Sequence, residues 1–244
     1  MSAAGTGGAG ADEHSGTAVS AAAPARMYDG DHSPSSGPRL VLATHNRGKL
    51  VELRDLLRGQ VPGLDVDSQV VDAGAVGAPD VLEDGVTFAE NALKKARAVA
   101  EATGLPAIAD DSGLSVDVLG GAPGIFSARW AGRHGDDRAN LELLLAQLAD
   151  VREEHRQAAF VCAAALVVPG PAEAGSESVE LGRMRGTLLR EPRGAGGFGY
   201  DPILRPEGLS ASVAELTREE KNAISHRGRA FRALLPAIVE ALRR

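Results

Sequence analysis

Along the chain, apolar residues cluster in runs short enough for buried strands and in three- and four-residue spacings typical of amphipathic helices. Neither pattern appears before residue 39. Residues 1–38 are mostly Ala, Gly, Ser and Pro, so a disordered N-terminal tail is expected there and a folded domain over 39–244. The domain opens on Arg39-Leu-Val-Leu-Ala43, a short buried strand, after which Leu50, Leu53, Leu56 and Leu57 share one helix face. A short strand is predicted near Leu64–Val66. Thr87-Phe-Ala-Glu90 has the pattern of a capping box. It opens a helix ending at Gly104, with Phe88, Ala92, Leu93, Ala96, Val99 and Ala100 inward and Lys94, Lys95 and Arg97 on the solvated face. A helix over 137–148 follows, then two β-type runs, Ala158–Val168 and Val179–Leu189, joined by a hairpin connection. A second capping box, Thr217-Arg-Glu-Glu220, begins a C-terminal helical segment with a break near Ser225–Gly228.

Charge narrows the classes of partner. The 244 residues carry a formal charge of −7, of which the tail holds three, and this argues against nucleic acid or an anionic membrane as the main partner. No apolar run approaches the roughly 20 residues needed to span a bilayer, and no signal peptide is recognisable. The single cysteine, Cys162, can form no intramolecular disulfide. A cytoplasmic protein is expected, one that handles any anion locally with a few chosen cations.

Four stretches carry candidate chemistry. In Ala109-Asp-Asp-Ser-Gly-Leu114, an apolar run delivers two adjacent carboxylates, which on a strand would point to opposite faces. Two like charges beside a core need compensation, and a hard divalent cation supplies it; the same residues also suit a hairpin turn. Thr44-His-Asn-Arg-Gly-Lys49 links a strand to a helix start, where free N–H groups and Lys49 form a ready anion site, although a capped surface helix fits as well. Gly194-Ala-Gly-Gly-Phe-Gly-Tyr-Asp-Pro202 sets Phe198 and Tyr200 among glycines, either for stacking on a ligand or as anchors of a loop. Lys221, His226 and Arg227 gather at the break in the last helix. Glu83, just ahead of the helix that starts after Thr87, is a further candidate metal ligand.

These four stretches, together with Gly120-Gly-Ala-Pro-Gly124 and Ser127-Ala-Arg129, resemble the inosine triphosphate pyrophosphatase family over residues 39–244, in the same order. The resemblance implies an α/β fold in which a long central mixed sheet with flanking helices forms two lobes around a nucleotide cleft, in a homodimer. It implies hydrolysis of dITP, ITP and XTP to the monophosphate and pyrophosphate, with Mg²⁺. Carried over by motif, Thr44, His45, Asn46, Arg47, Gly48 and Lys49 hold phosphates together with Lys221. Asp111 is the general base and a metal ligand with Glu83, and Ser112 contacts substrate. Phe198, Gly199, Tyr200, Asp201, His226 and Arg227 form the nucleoside and base pocket. His45 stands where many relatives have Gly.

The chemistry of the substrate agrees. A 6-oxo purine offers an acceptor where adenine offers a donor, so a pocket of donors such as Arg227 and His226 would disfavour adenine. Two other readings compete: a related pyrophosphatase for modified pyrimidines, and a nucleotide-binding protein without turnover. The metal-ready carboxylates favour a hydrolase, and Ser225-His-Arg227 favours the purine family.

Overall fold

The structure is a computed structural model that describes residues 37–44, 46–171 and 175–243. The expected tail, His45 and the middle of the 169–178 connection lie outside the described residues. In chain order the regular elements are β1 (Leu40–Leu42), α1 (Arg47–Leu57), α2 (Val66–Gln69), β2 (Val70–Asp72), α3 (Phe88–Thr103), β3 (Ala107–Val116), α4 (Asp137–Gln147), β4 (Gln157–Val168), β5 (Ser176–Leu188), β6 (Leu204–Pro206), α5 (Arg218–Ile224) and α6 (His226–Arg243). The strands form one mixed sheet in the order β2-β1-β3-β4-β5-β6. β1 runs parallel to β2 and β3, and the remaining pairings are antiparallel. The expected α/β architecture, a mixed sheet with flanking helices, is present.

Strand alternation decides what each face buries. On one face of β3, Ala107 and Ala109 join Ala163, Ala165 and Val167 of β4 against Ala92, Ala96, Val99 and Ala100 of α3. Small side chains on both surfaces let the helix lie close to the sheet. On the other face the apolar pattern is interrupted. Ile108 packs with Leu50, Leu53 and Leu57 of α1 and with Phe231, Leu234 and Ile238 of α6. Leu114 and Val116 pack instead with Leu141 and Leu144 of α4, with Leu148 just past its end, and with Phe160, Met184 and Tyr200. Asp110 and Ser112 lie between the two clusters, where the core opens into a cavity.

Two local expectations are revised, and one open choice is decided. The residues at Leu64–Val66 form no strand, because Asp65 caps α2 by accepting from Asp67 N at 3.1 Å, and the edge strand is Val70–Asp72. Of the two readings of the Asp-Asp-Ser-Gly stretch, the strand holds and the turn does not, since β3 runs through it in unbroken register with β4. In the first capping box, Thr87 Oγ1 accepts from Glu90 N at 3.1 Å, but the Glu90 carboxylate accepts from Val86 N rather than from its own cap. The second box is reciprocal, Thr217 accepting from Glu220 N and Glu220 from Thr217 N. The helical break falls at Ser225, between α5 and α6.

The placement of α6 depends on one close approach. A Cβ on Gly182 of β5 would stand 2.0 Å from His226 O and 2.5 Å from Ala230 N, so only glycine lets the first turn of α6 rest on the sheet. Gly182→Ala should therefore push His226 and Arg227 outward. An overpacking cost of about 1–3 kcal/mol lowers Tm by roughly 2–12 °C in a domain of this size, measured by calorimetry. An unchanged Tm would show that the helix start can yield at no cost.

Candidate active site

Asp110 is the most enclosed charge in the site, with its side chain 1% exposed. Lys49 Nζ, at the start of α1, donates to both its oxygens at 2.8 and 2.9 Å. Arg227 Nε, at the start of α6, donates to Oδ2 at 3.1 Å. Burial works against the charge on Asp110, but Lys49 and then Arg227 outweigh it and hold the carboxyl well below the usual range. The Arg227 Nη2 group reaches Ser112 Oγ at 3.5 Å.

Asp111, the next residue on β3, faces α3 and has the opposite electrostatics. Its Oδ2 accepts from Asn91 Nδ2 at 3.0 Å and its Oδ1 from Ser112 N at 2.9 Å. Burial raises its pKa, Glu83 adds to the rise, and Lys95 and Asn91 oppose it. A carboxyl with a raised pKa is the better proton acceptor of the two.

Two cavities open beside this segment of β3, one at Asp110 and one at Ser112. One, of about 240 Å³, is lined by Thr44, Lys49, Asp80, Glu83, Lys95 and Asp110 among others, and brings cations and carboxylates together. Lys95 is a correction to the sequence reading. Its side chain is only 16% exposed, and Nζ donates to Glu83 Oε1 at 2.7 Å and to Asp110 O at 2.8 Å. Asn46 caps α1 by accepting from Gly48 N at 2.9 Å, while its own N–H donates to Thr44 Oγ1. Arg47 and Gly48 are exposed at the first turn and line neither cavity.

The second cavity, of about 150 Å³, is aromatic on its walls and polar at its floor. The His226 ring stacks on Phe160 with centroids 5.2 Å apart. Tyr200 is buried and its hydroxyl donates to Ser127 O at 2.9 Å, so the ring is a fixed wall. Phe198 is 65% exposed, and Lys221 Nζ stands 5.0 Å from its ring centroid. Lys221 also donates to Asp201 Oδ2 at 2.5 Å, and the same oxygen accepts from Phe198 N at 2.9 Å. The N–H of Gly199 donates to Asp137 Oδ2. The structure thus groups Lys221 with the aromatic cavity rather than with Lys49 and Thr44.

Asn91, Lys95 and Glu52 were missed from sequence as site residues. Glu52 on α1 lines the aromatic cavity, and burial raises its pKa with help from Asp110 while Arg227 opposes. The available signal was polar residues four apart, Asn91 and Lys95, along the edge of an otherwise alanine-rich inward face.

His226 is held neutral. Burial, followed by the Arg227 charge, pushes its pKa down to about 3, and Nδ1 is buried without a partner. It is therefore not a cationic donor; its neutral ring carries one N–H and one acceptor. A histidine with a depressed folded pKa contributes stability that is complete above its unfolded value of about 6.5 and is lost as pH falls toward the folded pKa. The Tm should decline as pH drops from about 6.5 to about 4.5, and less steeply in His226→Gln. Identical slopes would show that the ring does not titrate with unfolding.

The profile of the Ham1 family matches residues 40–237. The chain is 65% identical over 204 residues to a dITP/XTP pyrophosphatase of Streptomyces coelicolor, covering 84% of this chain and 98% of the relative. It is 52% identical to a dITP/XTP pyrophosphatase of Bifidobacterium animalis subsp. lactis, covering 82% and 97%. Among solved structures, a HAM1 protein from Coxiella burnetii superposes with a TM-score of 0.73 at 40% identity, covering 83% of this chain and 99% of that one. A nucleoside-triphosphatase, or dITP/XTP pyrophosphatase, from Mycobacterium abscessus gives 0.67 at 50% identity, covering 81% and 99%. With its sequence motifs in order, its sheet in place and its match spanning nearly the whole described domain, the chain belongs to the Ham1 family.

Proposed function

We propose that this protein hydrolyses non-standard purine nucleoside triphosphates, dITP, ITP and XTP, to the nucleoside monophosphate and pyrophosphate. The observation that carries the reading is the Asp110-Asp111-Ser112 segment of β3, with Asp110 lining a cleft of mixed charge and Ser112 lining an aromatic cavity. One carboxylate is spent on Lys49 and Arg227, and the other takes hydrogen bonds from the neutral donors Asn91 and Ser112 and has a raised pKa. The names of the relatives support the same substrate class.

In this reading the triphosphate lies in the cleft of Thr44, Lys49 and Lys95, beside the N-terminus of α1. Asp111 accepts a proton from water as the water oxygen bonds to the α-phosphorus. The bond from that phosphorus to its bridging oxygen breaks, and pyrophosphate leaves. Asp111 and Glu83 fit a Mg²⁺ ion, because both offer hard oxygen donors and Glu83 raises the cost of the charge on Asp111. Among the described residues no group of three or more metal-ligating side chains exists, so water and phosphate oxygens would complete the coordination. Such an ion neutralises charge on the phosphates.

The base enters the aromatic cavity, stacking against Phe198 and bounded by His226 and Tyr200. Lys221 and Arg227 place donors there, suited to the 6-oxo acceptor of hypoxanthine and xanthine and opposed to the 6-amino group of adenine. The enzyme acts as a cytoplasmic homodimer. No helix among the described residues is long and apolar enough to cross a membrane, and Cys162 is buried and free.

Pyrophosphate release from dITP, XTP and dATP with Mg²⁺ tests the reading. Turnover of dITP and XTP should exceed that of dATP, and Asp111→Asn should lower kcat for dITP by roughly 10²–10⁴ without loss of fold. Equal rates on dITP and dATP, or a fully active Asp111→Asn, would contradict it.

A further inference from the structure

Asn91 lies in the first turn of α3 and is 2% exposed. Both ends of its amide are used, and they reach different elements. Nδ2 donates to Asp111 Oδ2 at 3.0 Å, and Oδ1 accepts from Gly85 N at 2.8 Å. The orientation of the amide is forced, because a carboxylate only accepts and a backbone N–H only donates. Gly85 belongs to the stretch that carries Glu83, so one side chain links both candidate metal-binding carboxylates. The fit is close. A Cβ on Gly85 would stand 2.6 Å from Asn91 Oδ1 and 2.9 Å from Glu90 Cβ.

We propose that Asn91 is the positioning residue of the site, aiming Asp111 while pinning the stretch of residues 83–86 so that Asp111 and Glu83 meet one divalent cation together. The proposal rests on the hydrolase reading above and adds the part that builds the cation site. Neighbouring bonds act in the same sense. The Glu90 carboxylate accepts from Val86 N at 2.8 Å, and Lys95, one turn along α3, donates to Glu83. Neither of these hydrogen-bonds the Asp111 carboxylate, and on β3 Lys95 reaches only the Asp110 carbonyl, so among the described residues Asn91 makes the side-chain link from the stretch to the base. An aliphatic side chain at position 91 would leave Gly85 N and Asp111 Oδ2 without their partner. An aspartate would set a third carboxylate against Asp111.

The test uses the full chain with Asn91→Ala and Gly85→Ala. Partners that orient metal ligands typically matter by 10- to 100-fold in metal affinity or activity. Asn91→Ala should lower kcat for dITP by about that factor, with KM changed less than about threefold. It should weaken binding of Mn²⁺ alone, by calorimetry without nucleotide, by about tenfold or more, and speed amide exchange at residues 83–86. Gly85→Ala presses the stretch away from Asn91 while leaving the Asn91 amide present as a donor for Asp111. It should weaken Mn²⁺ binding and speed the same exchange, with a smaller loss of kcat at saturating metal. A folded Asn91→Ala with unchanged Mn²⁺ affinity and unchanged exchange would overturn the proposal, as would a loss confined to Tm. If Asn91→Ala does not fold, Gly85→Ala decides, and wild-type Mn²⁺ affinity there overturns it. Should the wild type fail to cleave dITP, the hydrolase reading falls, while the Mn²⁺ and exchange measurements still decide the role of Asn91.

Discussion

The buried Asp110 carboxylate, braced by Lys49 and Arg227, is the contact on which the rest of the site depends. It joins the starts of α1 and α6 to the middle of β3, three elements far apart in sequence. Taking such charges out of water is costly, and their mutual attraction offsets that cost only when the geometry is good. Two cations on one carboxylate, one of them bidentate, meet that condition. The result is a fixed corner from which the cleft of mixed charge opens on one side and the aromatic cavity on the other.

Strand alternation then separates two chemically identical neighbours. Asp110 faces the two helix starts and is held ionised, whereas Asp111 faces α3 and the Glu83 stretch with a raised pKa. The partner strand makes room for both. Asp110 pairs in register with Ala164 and Asp111 with Ala163, and the Cys162 thiol is a further β4 group at Asp110, 4.0 Å from Oδ2, so small side chains stand beside them on β4. Larger residues there would close the space that the carboxylates and their partners occupy.

Much of this was legible from patterns of apolar residues. The strands of the sheet's centre, the helices α1, α3 and α4, and both caps follow from runs and spacings that local propensity supports. The edge strand Val70–Asp72 was misplaced because Asp65 and Ser68 spend their side chains on a short helix that the apolar residues Leu64 and Val66 disguise. The choice between strand and turn at Asp-Asp-Ser-Gly could not be decided locally, since those residues favour turns and pairing with β4 overrides that preference. Lys95 looked solvated because helix periodicity reports which residues are apolar, not what the surrounding loop brings to them; Glu83 arrives from outside the helix. The stacking role of Tyr200 is likewise narrowed by a bond to Ser127, 73 positions away, that no spacing announces.

The central claim is a division of labour: Asp110 is structural and Asp111 is functional. Thermal unfolding of Asp110→Asn and Asp111→Asn at neutral pH tests it most directly. Removing one partner of a buried charge cluster costs about 3–5 kcal/mol, so Asp110→Asn should lower Tm by roughly 6–20 °C. Asp111 carries a charge that burial disfavours, so Asp111→Asn should hold or raise Tm, as expected where a site trades stability for activity. Equal losses in the two variants, or a larger loss in Asp111→Asn, would contradict the account.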